Sequence, residues 1–550
     1  MHRMRICASL FVLSSLTLAG SGCTPARPST PQDVAALRLA LRRPHTAEQI
    51  EAMLRPDELS SIGEMAKIYG LDSLPIRGLG VVTGLGENGS DKAGVDPDFR
   101  AEAKKVLVTE EGRKLLEASE MVMSRDSSIV QMEGAVPAGS PTGTLFDVYV
   151  RPLDAAVSLE NGYLHRSALR NFMVQPNGDT IWGSAAASAF GQVSPIASAQ
   201  PGVIATSRGG RDGVVFDGGR YNGERILIIT LDPKYSSGPR VVLIEYLLNR
   251  RFGGVGTTPG TAPSVYANAE STREVYLRIP PAYSKTAARY ADVVKQIKGS
   301  YFYGPPTAEA MKKLAGQLAT GSAQEKYQAS VELEAIGPAA IEYLDSTAGG
   351  GDDRTNLYAG EALSFLNSAS GPDRMYAAAL STDEGVRFEA IRFIGQLSGR
   401  RAVQTLREKV LDSSPRIALE AVKGLVASSE QAALQIRLAG FDLVTIPGTP
   451  AGLIVKSSGR PLVVVTGPGT ALKGTVAVNV AGVGIGSTDE GQVGIVAGEG
   501  PTAETLTVDA TTDNILAVLA RWNPPFDSVK KVLQALEDAG NLPYKATWLD

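Results

Sequence analysis

The chain has 550 residues, 20% charged and 43% hydrophobic, so it has room for two to four domains and a globular rather than disordered composition. Its 54 Lys and Arg against 58 Asp and Glu leave a formal charge of -4, which argues against a nucleic-acid binder with a concentrated basic excess. Three His (His2, His45, His165) and two Cys (Cys7, Cys23) leave a His/Cys-built zinc or haem site nearly excluded, and no cofactor is expected.

Residues 1–22 read as an export signal. Met1-His2-Arg3-Met4-Arg5 is a basic head, and Ile6 to Ala19 is an apolar run of about fourteen residues, short of the roughly twenty that span a bilayer. Gly20-Ser21-Gly22 then lead into Cys23, a pattern that resembles a bacterial lipoprotein signal in which the Cys carries the lipid, although Gly20 stands where Leu is usual. Ordinary cleavage nearby, leaving Cys23 a stray thiol, is the alternative. Either cut removes Cys7, so no intrachain disulfide survives, and a periplasmic or envelope location follows. Residues 23–59 form a linker and N-terminal segment.

From 60 to 303 the text is strand-like. Leu79 to Leu85 is apolar and punctuated by Gly, Glu120–Glu133 and Thr144–Val150 alternate with period two, and Arg225–Leu231 is a short apolar run. Two helices interrupt it. Pro239 opens one that closes at Asn249-Arg250-Arg251-Phe252-Gly253, and Thr286–Lys298 sets Ala287, Ala291, Val294 and Ile297 on one face.

Between 306 and 437 the pattern turns helical and Ala-rich. The segments Ala329–Leu333, Ala362–Leu366, Ala390–Ile394 and Ala421–Leu425 recur at intervals of 33, 28 and 31 residues, which suggests stacked HEAT-like helix pairs; a plain helical bundle is the alternative. From 440 to 550 strands return at 452–455, 461–465 and 475–480. A helix over 512–522 and another from a cap at Asp527 to Gly540 close the chain. The fold class is therefore α+β, a β-rich module interrupted by an all-α block.

The chemical motifs are weak. Gly78-Leu-Gly80-Val-Val-Thr-Gly84 is one residue too long for a dinucleotide fingerprint and lacks the Lys-Ser/Thr of a phosphate loop, so these glycines read as turn formers. The adjacent pairs Glu110-Glu111, Asp352-Asp353 and Asp489-Glu490 read as solvated, and Glu87 to Asp91 lacks the ligand spacing of a calcium loop. His165, in strand text, reads as a structural or surface residue. Arg250 and Arg251 suit a helix C-terminus, where cations meet the negative dipole end, although either could reach a partner.

Taken in order, several segments resemble the bacterial flagellar P-ring protein family. Ile76 to Leu85, with Gly78, Gly80 and Gly84, is similar to its N-terminal glycine stretch. Pro137, Gly139 and Asp147 fall in a strand pair similar to the family's. Asn249-Arg250-Arg251-Phe252-Gly253 resembles its most specific helix ending, and Leu533, Ala535, Leu536 and Gly540 resemble its closing helix pair. The resemblance covers 60–303 and 440–550.

That resemblance implies a non-catalytic periplasmic subunit that joins copies of itself into a ring around the flagellar rod, meeting the L-ring and the peptidoglycan layer. Such a ring is a heterologous contact repeated around a closed rotation. Three features depart from the family: a lipid on Cys23, which would attach the chain to the membrane, the block at 306–437, and the strands at 452–480, which match only loosely. Read as an outward insertion, that block should be deletable and leave a foldable β core. A lipid-anchored scaffold for a non-flagellar assembly, using the helical repeats as its binding surface, is the alternative function, and a cell-wall hydrolase the remaining one.

Overall fold

The structure, a computed structural model, describes residues 60–92, 94–175, 180–195, 211–253, 265–347, 352–428, 431–438, 440–488, 491–497, 504–522 and 524–549. Residues 1–59, which hold the expected signal and Cys23, lie outside the described residues, as do Asp489 and Glu490. No described helix is long and apolar enough to cross a membrane.

The chain begins with α1 (Ile62–Met65), β1 (Ala66–Tyr69) and β2 (Leu74–Thr83), followed by α2 (Pro97–Glu111) and α3 (Leu115–Met123). Next come β3 (Ser127–Val136), β4 (Leu145–Pro152), β5 (Tyr163–Val174), β6 (Thr180–Gln192), β7 (Ser194–Pro195) and β8 (Gly213–Tyr221). These strands run antiparallel in the order β4-β3-β2-β5-β6-β8, and β8 also pairs with β4, so six strands close a barrel with β7 at its rim. Closure removes the exposed edges that an open sheet would carry. Alternate residues turn inward: Val130 and Met132 of β3 and Val148 and Val150 of β4 join Ile76, Val82, Leu164 and Leu169 in the barrel core. Val81 and Ile129 point the other way, against Leu107 of α2 and Val122 of α3.

Those two helices correct the sequence expectation of alternating strand over Glu120–Glu133. α2 is bracketed by Asp96, whose carboxylate accepts from the Asp98 amide, by Pro97 in the first turn, and by Gly112 at φ 67°. The strand starts only at Ser127, so the period-two pattern straddles the end of α3.

β9 (Leu227–Leu231), α4 (Gly238–Phe252), β10 (Ala267–Ala269), β11 (Glu274–Leu277) and α5 (Ala287–Gln296) follow. The sheet β1-β9-β11-β10 packs Ile229 and Val275 against Leu243 and Leu247 of α4 and Tyr290 and Val294 of α5. The same core takes in Val331 and Ala335, which belong to the helical block.

That block contains α6 (Ala308–Thr320), α7 (Ala323–Ile336), α8 (Ile341–Ser346), α9 (Asp353–Phe365), α10 (Ser370–Ala378), α11 (Glu384–Ile394), α12 (Arg400–Lys409) and α13 (Pro415–Ala427). α5, α7, α9, α11 and α13 touch in succession and form an inner row, with the intervening helices behind them. All four recurrent Ala segments fall on this inner row. Ala329, Ala362, Ala390 and Ala421 are buried, as are Leu333, Leu366, Ile394 and Leu425 four residues on, as stacking of neighbours requires. The array differs from its expected bounds at both ends: α5 already belongs to the row, and 434–437 is a strand.

The remainder is β12 (Leu434–Arg437), β13 (Asp442–Ile446), β14 (Gly452–Lys456), β15 (Leu462–Thr466), β16 (Ala477–Val480), β17 (Val483–Ser487), β18 (Gln492–Ala497), β19 (Glu504–Asp509), α14 (Thr512–Trp522), α15 (Phe526–Asp538) and β20 (Ala546–Leu549). Pro525 rather than Asp527 holds the cap position of α15, with Asp527 in its first turn. β12-β13-β15-β14-β20 is a mixed sheet with apolar residues on both faces. Val444, Ile446, Ile454 and Val464 pack on the repeat helices. Leu443, Leu453, Val455 and Val463 face the opposite way, against Leu533 and Leu536 of α15.

The helical block is thus a shared wall, not an outward decoration. It enters the core on the β9 side and the core on the β13 side, and none of the six apolar cores among the described residues draws from both β-bearing flanks. The flanks meet through polar contacts, Arg437 on Asp217 at 2.9 Å and the Arg460 guanidinium 5.1 Å from the Phe216 ring.

Candidate assembly and partner surfaces

The residues singled out by the P-ring resemblance are mostly internal fasteners. The Asn249 side chain accepts from the amides of Tyr266 and Ala267 at 2.9 Å and donates to the Ala267 carbonyl, clamping β10 to α4. Arg250 donates to the carbonyls of Tyr301 and Phe302. Arg251 donates through Nη2 to the Glu334 carbonyl at 2.7 Å, in the last turn of α7, and its guanidinium lies against Phe252. Both cations therefore cap other segments of the chain, and Gly253 simply ends α4 in right-handed geometry.

Gly78 and Gly80 are not turn residues: both lie inside β2. A Cβ on Gly78 would stand 2.3 Å from the Ala168 carbonyl, so glycine is needed where β5 crosses closely and the register shifts. Gly84, at φ 77°, does make the turn. Gly139, at φ 70°, follows Pro137, whose carbonyl accepts from the Ser140 hydroxyl. Asp147 accepts from the Asp217 amide at 2.9 Å; burial pushes its carboxyl up, and nearby Asp217 and Asp442 add to that. Leu533 and Leu536 are core, Ala535 packs on the same core, and Gly540 ends α15 at φ 71°.

His165 lies on β5 within a chain of contacts that sequence does not announce. Its Nε2 is 2.8 Å from the Thr83 hydroxyl, and its Nδ1 is 3.0 Å from the Glu111 carboxylate. Hydroxyl, imidazole and carboxylate stand in the order of a nucleophilic triad. The neighbouring backbone amides are engaged, however: those of Gly84 and Gly86 donate to the Asp126 carboxylate and that of Leu85 to the Asp126 carbonyl. Glu111 also accepts from Arg113 and the Arg166 amide, so it is a structural clasp rather than a solvated acid. Burial pushes its carboxyl up, but these hydrogen bonds and His165 outweigh that and hold it low. Among the described residues no group of three His, Cys, Asp and Glu is placed to hold a metal ion.

Where the N-terminal part joins the repeats, Arg289 of α5 is buried. It donates to Glu334 at 2.7 and 3.0 Å and to Glu361 at 2.6 Å, while the Tyr283 hydroxyl donates to Glu334 at 2.6 Å. Burial alone would lower the Arg289 pKa, but the two carboxylates overcome it and hold the cation. This knot was invisible in sequence because its members lie on α5 and the turn at Pro281–Tyr283 before it, and on α7 and α9.

The inner row encloses a groove of about 850 Å³. Tyr327, Tyr358 and Phe388 line it together with charged side chains. Three cations there are held by neighbours: Arg354 by Asp383 at 2.9 Å, Arg392 by Glu389 at 2.5 Å and Lys423 by Glu420 at 3.2 Å.

A second surface lies at the far end of the β5–β6 hairpin. Phe172 opposes Trp182 and Met173 opposes Ile181 in register. Successive strand residues face opposite sides, so Phe172, Trp182 and Val174 lie on one face and Met173 and Ile181 on the other. Met173 is 64% exposed, Val174 58% and Trp182 49%. Arg77 lies over the Phe172 ring, at 4.6 Å. Alternation of polar and apolar residues, the usual sign of a half-buried strand, fails here; that failure was the available signal.

No protein-family model matches this chain, and no curated protein matches it either.

Proposed function

We propose that the chain is a non-catalytic structural subunit of a periplasmic assembly, built to join copies of itself into a ring of the flagellar P-ring kind around the rod. The observation that carries this reading is the β5–β6 hairpin, apolar on both faces, where among the described residues Met173, Val174, Ile181 and Trp182 are all exposed. Exposed apolar surface of this kind marks an interaction site. A hairpin that needs cover on two sides suits insertion into a neighbour, and the contact repeats if the rotation closes. The engaged amides beside Thr83 support a structural rather than hydrolytic role. In this reading Cys23 carries the lipid that holds the assembly at the envelope, with the L-ring, rod and peptidoglycan as its surroundings.

Sedimentation velocity on the full mature chain tests assembly. The parent should form higher-order species, and Met173→Ser with Trp182→Ser should shift them to monomer; a parent that stays monomeric sinks the reading. Epitope labelling of isolated basal bodies, imaged by cryo-electron microscopy, tests the flagellar setting, and label confined to other envelope fractions counts against it. A second reading, a lipid-anchored scaffold of a non-flagellar assembly, draws on one observation: the helical block is the wall joining both flanks and carries the groove.

A further inference from the structure

We propose that the groove of the inner helix row captures an extended acidic peptide segment of a protein partner. This goes beyond ring assembly and does not depend on it.

The charge balance argues for an acidic ligand. Six cations line the groove (Lys285, Arg289, Arg354, Arg392, Arg416, Lys423) against three acids (Glu361, Glu389, Glu420), in a chain whose net charge is -4. The groove thus reverses the sign of the molecule that carries it. Arg289 and Glu361 satisfy each other in the buried knot, and three more cations have the carboxylate neighbours given above. Arg416 and Lys285 are different. Arg416 lies with its guanidinium 3.6 Å from the centre of the Phe388 ring, and among the described residues neither cation has a carboxylate within ion-pair distance. Arg416 is on the last inner helix and Lys285 just before the first, so these two cations stand at opposite ends of the row.

The shape argues for an extended chain. Packed helices stand about 8–10 Å apart, so five in a row span roughly 35 Å, about ten residues of extended peptide. Glu389 and Glu420 within the lining disfavour a uniform polyanion such as polyphosphate, whose charges they would oppose. A peptide can place acids at the two ends and apolar side chains over Tyr358 and Phe388 between them.

The test is fluorescence anisotropy on the full mature chain with a labelled ten-residue peptide rich in Glu and Phe, a Lys-for-Glu counterpart, and polyphosphate as competitor. The acidic peptide should bind and weaken with salt. Arg416→Glu and Lys285→Glu should each weaken it about tenfold, because both reverse an exposed charge at an end of the groove. Lys312→Glu, on α6 outside the groove, should leave binding unchanged. Circular dichroism and sedimentation of each variant separate lost binding from lost fold or assembly. Equal affinity for the acidic and basic peptides, tighter binding of polyphosphate, or indifference to both reversals would overturn the proposal.

Discussion

The barrel and the mixed C-terminal sheet answer the same problem, where to hide a sheet's apolar residues, in opposite ways. The barrel closes β8 onto β4 and buries its inward residues against one another. The mixed sheet stays open and buries both faces, one on the repeat helices and one on α15. A closed sheet needs little from its neighbours; an open one with two apolar faces is only as stable as what covers it. The difference locates where this chain tolerates damage.

Deleting 306–437 should break the comparison most visibly. The cut removes the helices that cover Val444, Ile446, Ile454 and Val464, and burying four such side chains is worth roughly 6–12 kcal/mol in all. That is as large as the whole stability of a typical domain, about 5–15 kcal/mol. The product should be insoluble. Limited proteolysis of refolded material should leave a resistant barrel fragment over β2 to β8 while the residues after 437 are digested. A soluble product with the mixed sheet protected from amide exchange would restore the view of the block as an insertion.

The joint between the regions is the next most sensitive place. Glu334→Ala removes both Arg289 bonds and the Tyr283 bond, leaving the buried cation with Glu361 alone. Breaking a buried pair from one side costs about 3–5 kcal/mol. Urea unfolding should show the midpoint of the transition falling accordingly, with Glu334→Gln less harmful because it can still accept. An unchanged midpoint for Glu334→Ala would remove the knot from the account of how the N-terminal part is held to the repeats.

Asn249→Ala should cost less, about 2–3 kcal/mol, since three modest hydrogen bonds to β10 are lost with two amides left to find water. Amide exchange at Tyr266 and Ala267 should accelerate selectively. Uniform acceleration across the N-terminal part would mean that the clamp is not local.

What the sequence disclosed follows from which interactions are local. The Ala segments were legible because burial on a stacked helix repeats with the helix, and each marks an inner helix. The ending Asn249 to Gly253 was legible as a helix terminus, but the carbonyls that Arg250 and Arg251 cap are 51 and 83 residues away. α2 escaped notice because its residues are mostly polar, although Asp96-Pro97 and Gly112 bracket it. Barrel closure is a pairing of β4 with β8 that no local pattern encodes. The two-faced burial of the mixed sheet did leave a trace, since Leu462 to Val465 is apolar without alternation, the mark of a strand covered on both sides. The groove's cations come from separate repeats, and none is conspicuous alone.

The smallest effect sharpens the comparison within the helical wall itself. Asp352 caps α9 by accepting from the Thr355 amide at 2.9 Å and pairs with the buried Lys326 at 2.7 Å. Burial pushes its carboxyl up, but Lys326 and Thr355 prevail and hold it at about 2, below the ordinary 3.8. The lowered value means that the folded state prefers the ionised form. Its contribution is present above about pH 4 and is lost as pH falls toward 2. Because the Asp352 side chain is 61% exposed, solvent screening keeps that contribution to about 1 kcal/mol or less. Asp352→Asn should lower stability slightly at neutral pH and flatten the acid limb of the stability curve between about pH 4 and 2. Lys326→Met should raise the Asp352 carboxyl part of the way toward 3.8, so the acid limb should shrink and end at higher pH without vanishing, since the Thr355 amide still favours the ionised carboxylate. Chemical denaturation across that pH range distinguishes the two variants, and a Lys326→Met acid limb identical to the parent's would show that the cap rather than the ion pair sets the low value.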